Sequence, residues 1–443
     1  MQGRLGATTI ATLSQSAENS NAGHVPEKTD AGAMAVVSTL FFAWGFLTCL
    51  NDILIPHLKN IFDLNYAEVM LVQFAFFSAY FVFSMPSGKI VERIGYARAM
   101  VAGLVTMGCG AFLFVPAASI PSFPLFLTAL IVLAAGMTIL QTSANPYVAI
   151  LGPPRTASSR LNLTQGFNSL GTTLAPLFGS VLILGAAATP VSQDTVHAMT
   201  AVQLHAYRVE QAASVRTPYI GLTLALFALA VIVGSYKLPV FAYAQAPGHI
   251  GDSIWRHRHL LLGAVAIFVY VGAEVAIGSF MTNYFSHKET GNLSLQDAAR
   301  HLQYYWGGAM VGRFVGSGML QKLPTRMLLG FNAATAAVLV LLSIATFGSM
   351  AMWTMLAVGL FNSIMFPSIF TLAIEGMGPL TGEASGLLVA AIVGGAVLPE
   401  LQGVLADKIG IHHSFMLLVV CYVYILWYAM KGSREMPFRE KNA

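Results

Sequence analysis

Ala31-GAMAVVSTLFFAWGFLTCLNDILIPHL-Lys59 is an apolar stretch closed by a single carboxylate, Asp52. Residues 31–51 carry no charge, and about 20 apolar residues in a helix cross a bilayer. An acid at that depth costs roughly 3 kcal/mol even on insertion scales, so it belongs in a bundle interior or a water-filled cavity. The stretch reads as the first helix of a membrane protein with a polar pathway.

The rest of the chain repeats the pattern. Charged residues are 9% of the 443 and hydrophobic residues 56%, against about 25% charged in soluble domains, and the mean hydropathy is +0.69. So few charges cannot cover a soluble surface of this size. The net charge of +4 is small and dispersed, which argues against nucleic acid as a partner. Cys49, Cys109 and Cys421 each lie in an apolar run without metal-ligand spacing, so neither metal nor cofactor is expected.

Charge-free intervals mark the spans. They fall at 31–51, 69–88, 99–154 (two, broken at Pro121-Ser-Phe-Pro124), 161–193 and 217–236. A polar connector follows, then apolar spans at 260–287, with the one charge Glu274, at about 302–321, at 327–374 (two), and at 385–405 and 409–430. The pattern predicts an all-α membrane protein of 12 transmembrane helices in two six-helix halves, residues 33–237 and 260–431, joined by a connector at 238–259. Residues 1–32, rich in Ser, Ala, Asn and Thr, lack the apolar core of a signal peptide and are expected as a disordered tail. Residues 432–443 form a second tail. With both termini cytoplasmic, Lys and Arg divide 17 inside to 6 outside, the asymmetry that sets topology. The inside group includes Arg155, Arg160 and Arg313. The external segment from Ala187 to Pro218 receives no role.

The halves echo each other. Pro146 and Pro176 lie 30 residues apart, and Pro367 and Pro399 lie 32 apart, the second of each pair followed three or four positions later by glycine. Corresponding Gly/Pro-interrupted spans point to repeats around a central site.

Gly88-KIVERIGYA-Arg98, between spans 2 and 3, has the pattern Gly, three residues, acid, Arg, one residue, Gly. It resembles the signature loop of the major facilitator superfamily, which implies that fold with pseudo-two-fold symmetry. Gly88, Glu92, Arg93 and Arg98 are then a cytoplasmic gate, Glu92 pairing with Arg93 or with a neighbouring helix end. Phe42-AWGFLTCLN-Asp52, Gln141-TSANPYVAILG-Pro153, Arg160-LNLTQGFNSL-Gly171 and Tyr270-VGAEVAIGS-Phe280 together resemble the fucose permeases and the bacterial glucose/galactose transporters.

That resemblance implies a sugar/cation symporter working by alternating access in a bacterial inner membrane. Asp52 falls where the family carries its titrating acid. The family's second acid, at the head of an ETAANP stretch, is Gln141 here, which cannot carry a proton. The span-10 tyrosine of fucose permeases is Phe366, and their span-7 amide is Glu274. These departures favour glucose or galactose over fucose. Proton coupling is expected over Na⁺, although Na⁺ near Asp52 is the alternative. An uncoupled facilitator and a sugar sensor are the remaining alternatives. The protein is expected as a monomer in the lipid bilayer.

Read as chemistry, the same positions suit a pyranose, whose hydroxyls donate and accept and whose CH face is apolar. Gln141 and Asn145 are four apart, and Gln165 and Asn168 three apart, so each pair shares a helix face. Asn51, Gln73, Glu274, Asn283 and Asn362 are further candidates, and Trp44, Phe74, Phe77, Trp306 and Phe366 offer apolar surface. Glu274 is also a candidate for cation coupling beside Asp52. Any of the amides, Asn332 and Asn283 above all, can instead simply join two helices. No nucleophile–base pair, metal cluster or phosphate loop is legible, so no enzyme is expected.

Overall fold

A computed structural model of the chain describes residues 28–62, 66–179, 198–240 and 253–434. Within these, no strand occurs and twelve helical spans run in order. Spans 1–6 are Ala31–Phe62, Tyr66–Ile94, Tyr96–Ser119, Phe123–Ile150, Ala157–Gly179 and Ala201–Ser235. Spans 7–9 are Arg258–Ser286, Leu295–Met319 and Thr325–Ala345. Spans 10–12 are Gly348–Ala373, Gly378–Ile409 and Ile411–Gly432. Span 10 is interrupted after Asn362, and span 11 passes through a 3-10 turn at Ala391–Val393.

The packing is two-fold. Within the first half, spans 3 and 4, 1 and 5, 3 and 6, and 2 and 4 pack together; within the second, 9 and 10, 7 and 11, 9 and 12, and 8 and 10 do. Adding six to each member of a first-half pair gives the second-half pair. The halves meet through spans 2 and 11 and through spans 5 and 8, which the same operation exchanges.

With lipid outside, helices gain little by hiding apolar surface from one another and associate through close packing of small residues. A Cβ on Gly103 of span 3 would stand 2.9 Å from the Leu140 nitrogen of span 4, so these backbones nearly touch. Ten of the spans are long and apolar enough to cross a membrane, which makes this an integral membrane protein. Among the described helices, the two below that standard are spans 5 and 8, the inter-half pair.

Two features differ from the sequence reading. Span 6 begins at Ala201, behind a capping box of Thr200 and Gln203, and runs 35 residues. At about 1.5 Å per residue that is roughly 52 Å, well beyond a 30 Å hydrocarbon core. The segment from Ala187 to Pro218 is therefore in part an extension of span 6, where the Arg208 guanidinium lies 5.8 Å from the Phe62 ring of span 1; residues 187–197 lie outside the described residues. The other difference concerns two cations counted as loop charges, Arg160 and Arg313, both of which lie inside the bundle.

Arg160 is 5% exposed and caps span 4. The last carbonyls of a helix have no intrahelical partner. Here Arg160 Nε donates to Val148 O at 3.0 Å, and Nη2 donates to Ala149 O and to Gly152 O. Its Nη1 donates to Pro153 O at 3.0 Å and to Thr156 Oγ1 at 2.7 Å. A residue of the following span thus closes the turn between spans 4 and 5. The expected tail at residues 1–32 and connector at 238–259 fall largely outside the described residues, apart from 28–32, 238–240 and 253–259, where Ile254–Arg256 forms one 3-10 turn.

Candidate functional site

Polar side chains are concentrated on the faces that spans 4, 5, 7, 8 and 10 turn inward. On span 4, Gln141 is 2% exposed and donates from Nε2 to the Tyr80 hydroxyl of span 2 at 2.7 Å. Asn145, one turn on, is fully buried. On span 5, Gln165 is 4% exposed. Gln141 Oε1, both side-chain polar atoms of Asn145, and Gln165 Nε2 are buried without a hydrogen-bond partner. An unmatched buried polar atom costs about 1–3 kcal/mol, and four of them lie on these two adjacent spans.

Span 7 carries Glu274. Tyr270, one turn earlier, donates its hydroxyl to Glu274 Oε1 at 2.9 Å and to Asn362 O at 3.1 Å. The guanidinium of Arg313 on span 8 lies 3.7 Å from the same Glu274 oxygen, both side chains being largely buried. Asn362 donates to the Tyr305 hydroxyl at 2.8 Å. Phe366, 8% exposed, lies 6.5 Å from the Tyr270 ring.

Other candidates are engaged elsewhere. Asn168 Nδ2 donates to Phe41 O at 3.0 Å, joining spans 5 and 1, and Asn332 Nδ2 donates to Phe361 O at 3.0 Å, joining spans 9 and 10. Asn283 is exposed near the end of span 7. Asn51, Asp52 and Gln73 are carried on spans 1 and 2, but their side chains lie outside the described residues.

Arg313, Tyr80, Tyr270 and Tyr305 enter the site without having been singled out. The signal for span 8 was available: Gly308, Gly312 and Gly316 recur every four residues around Arg313. A Cβ on Gly308 would meet the Leu360 nitrogen at 3.5 Å, and Gly312 and Gly316 press on Ser363 and Ile364. This seam brings spans 8 and 10 close enough for Arg313 Nε to donate to Ser363 O at 3.4 Å.

The halves are sealed at the end that carries Gly88–Arg98. Glu92 Oε1 accepts the Glu383 N–H at 3.2 Å, in the first turn of the helix Thr381–Ala390, where a carboxylate is favoured by the helix dipole. Arg93 and Arg98 are exposed beside it. Deeper in the seal, Ser385 donates to Thr142 O at 2.9 Å, Ser158 shares a hydrogen bond with Thr371 at 2.6 Å, and Ser159 donates to Ser317 O at 2.7 Å. Prolines shape two of the acceptors. Pro146 and Pro367 have no N–H to give the carbonyls four residues earlier, Thr142 O and Ser363 O, and these accept from Ser385 and Arg313 instead. Between described residues, the outermost polar contact joining the halves is Thr173 with the Met310 sulfur at 3.7 Å. Towards the opposite end the described surfaces make no further hydrogen bond or ion pair across the interface.

Residues 34–399 match the model of the Major Facilitator Superfamily. The chain is 52% identical over 413 residues to a Brucella abortus protein named glucose/galactose transporter, covering 92% of this chain and 96% of that one. It is 32% identical over 436 residues to the L-fucose-proton symporter of Escherichia coli K12, covering 96% and 98%. Among solved structures, a transporter of the same superfamily in the outward conformation superposes with a TM-score of 0.84 at 32% identity, over 90% of this chain and 98% of that one.

Proposed function

The chain belongs to the Major Facilitator Superfamily, and we propose that it is a secondary active importer of a hexose, glucose or galactose, coupled to protons. The observation that carries the proposal is the set of buried, unmatched amide atoms of Gln141, Asn145 and Gln165, with Glu274 linked to Gln165 through Arg313. Each amide offers donors and an acceptor, the complement of a ring of sugar hydroxyls. Glu274, its charge compensated by Arg313, adds an acceptor, and Phe366 supplies apolar surface for the CH face. The names of the relatives, transporters of glucose and galactose and a fucose–proton symporter, support the sugar class and the coupling ion.

Coupling is assigned to Asp52. Moving a bare carboxylate into low dielectric is penalised, so Asp52 has to be neutralised before the outer ends of the halves close over it. With the Gly88–Arg98 loop on the cytoplasmic side of a bacterial inner membrane, the contacts at Glu92, Ser385 and Ser158 close the inner end, the state in which sugar and cation load from outside. Rocking of the halves then breaks the contacts at Glu92, Ser385 and Ser158 and opens the inside. Glu274, already paired, serves as a fixed acceptor for sugar hydroxyls while the carried charge stays on Asp52.

Radiolabelled glucose and galactose uptake into proteoliposomes, under a pH gradient or a Na⁺ gradient imposed separately, tests this. Accumulation driven by the pH gradient alone is the expected result. Accumulation driven by Na⁺ would make Asp52 a cation ligand, and uptake by neither gradient would refute symport of these sugars.

A further inference from the structure

We infer that Arg313 is a positioning residue that ties the sugar site to the inter-half seal: one guanidinium holds Glu274 within the second half and holds span 8 against span 5 only while the Gly88 end is closed. The inference rests on the sugar site proposed above.

The partners of Arg313 fall into two groups. Glu274 Oε1 at 3.7 Å and Ser363 O at 3.4 Å belong to the second half and move with it. Gln165 O, at 3.3 Å from Nη1, and Ser169 Oγ, on the same nitrogen, belong to the first half. The backbone of Arg313 adds a third tie to span 5, because its carbonyl accepts from Asn162 Nδ2 at 2.6 Å. Arginine alone among the cations has a planar fork of five donors able to serve both sets together.

When the seal opens, Asn162, Gln165 and Ser169 leave with span 5, while Glu274 and Ser363 stay. The buried charge is therefore compensated in both states, which is the condition for keeping a charge there, since a buried ion stripped of its partner is strongly destabilising. The arrangement also links occupancy to the seal. The residue whose carbonyl receives Arg313 is Gln165, whose side-chain Nε2 is one of the unmatched sugar donors. The carboxylate that Arg313 fixes is the acceptor in the second half. A sugar bridging Gln165 and Glu274 acts on both ends of the Arg313 latch.

The test reads the seal at a distance from Arg313. In a background with the three native cysteines replaced, a Ser84→Cys reporter sits on span 2, against Gly386 of span 11. Ser84 is fully buried, and its hydroxyl bonds only its own helix, at Phe81 O. Maleimide labelling of purified protein in proteoliposomes reports how often that end opens, whether or not sugar moves. Losing charged hydrogen bonds to span 5, Arg313→Gln is expected to raise the labelling rate roughly 10-fold or more. Ser169→Ala, which removes one of them, is expected to raise it roughly 3–10-fold, with Arg313→Lys between the parent and Arg313→Gln. Glu274→Gln alone leaves Arg313 unpaired and lowers the yield of monodisperse protein, and Glu274→Gln combined with Arg313→Gln restores it. Labelling of Arg313→Gln, Arg313→Lys and Ser169→Ala at the parental rate would overturn the inference. Should Arg313→Gln fail to fold, Arg313→Lys and Ser169→Ala decide the matter. A parent that labels slowly and transports neither glucose nor galactose would refute the sugar reading and leave the latch standing on its labelling data.

Discussion

Replacing Gly88 by alanine should open the sealed end. A Cβ at Gly88 would stand 2.8 Å from Gly382 O and 3.2 Å from Glu383 Cα. Both are backbone atoms of the span-11 helix start, so no side chain can swing aside. The methyl can be accommodated only by moving span 2 away from span 11, which also stretches the Glu92–Glu383 hydrogen bond of 3.2 Å. Overpacking of this kind costs about 1–3 kcal/mol. Here the cost falls on the closed state alone, because the clashing atoms belong to opposite halves. The closed-to-open ratio should therefore fall roughly 5–150-fold, read as a rise of that size in maleimide labelling of Ser84→Cys. Gly45→Ala is the matched control: its methyl strikes Asn168 O, but spans 1 and 5 belong to one half. It should lower the melting temperature and leave labelling unchanged. Parental labelling in Gly88→Ala, or equal labelling increases in the two variants, would refute the view that this close approach sets the conformational balance.

Four further outcomes are expected. Asp52→Asn should abolish accumulation, about 50-fold for one charge at 100 mV from about 2.3 kcal/mol, while sugar exchange across proteoliposomes persists; full accumulation would remove Asp52 from coupling. Gln165→Ala should weaken galactose binding roughly tenfold by calorimetry, the loss of a hydrogen bond in a buried site. Asn168→Ala should leave that affinity unchanged and lower thermal stability by about 1 kcal/mol, the value of an interhelical hydrogen bond. Arg160→Ala should cost roughly 3 kcal/mol or more through the orphaned carbonyls of span 4, visible as loss of folded protein on size-exclusion chromatography.

The spans were legible because membrane crossing is a one-dimensional constraint: a run without charges, ended by a loop. The site was legible in part for the opposite reason, since amides such as Gln141 and Gln165 stand out against apolar neighbours. Pairing was not legible. Nothing local in the chain says that Gln141 meets Tyr80, or that Asn168 turns to Phe41 O while Gln165 Nε2 stays unmatched. Those choices depend on helix rotation, fixed by packing over distances of up to 127 residues in sequence. Arg160 and Arg313 were misread because a cation near a helix end is ordinarily a topology signal. Span 8 carried the better clue: it falls below the apolar standard of a crossing helix, and a helix not apolar enough for lipid has to spend its length against protein.

The carbonyl released by Pro146 at the seal bears on the energetic balance between the closed and open states, while that released by Pro367 is held within one half. Thr142 O and Ser363 O remain acceptors whatever the halves do, since no rearrangement of spans 4 or 10 can return an N–H from Pro146 or Pro367. In the sealed state Ser385 and Arg313 occupy them. When the end at Thr142 opens, water can replace the hydroxyl, and exchange of one donor for another changes the free energy by only about 0.5–1.5 kcal/mol. A carrier needs two conformations within a few kcal/mol of each other, and a seal made of many such exchangeable bonds meets that need better than one strong lock. Substituting Pro146 would then shift the balance between the two states. An alanine there would satisfy Thr142 O within its own helix, weaken the hold of Ser385, and convert a reversible contact between halves into a permanent bond inside one of them.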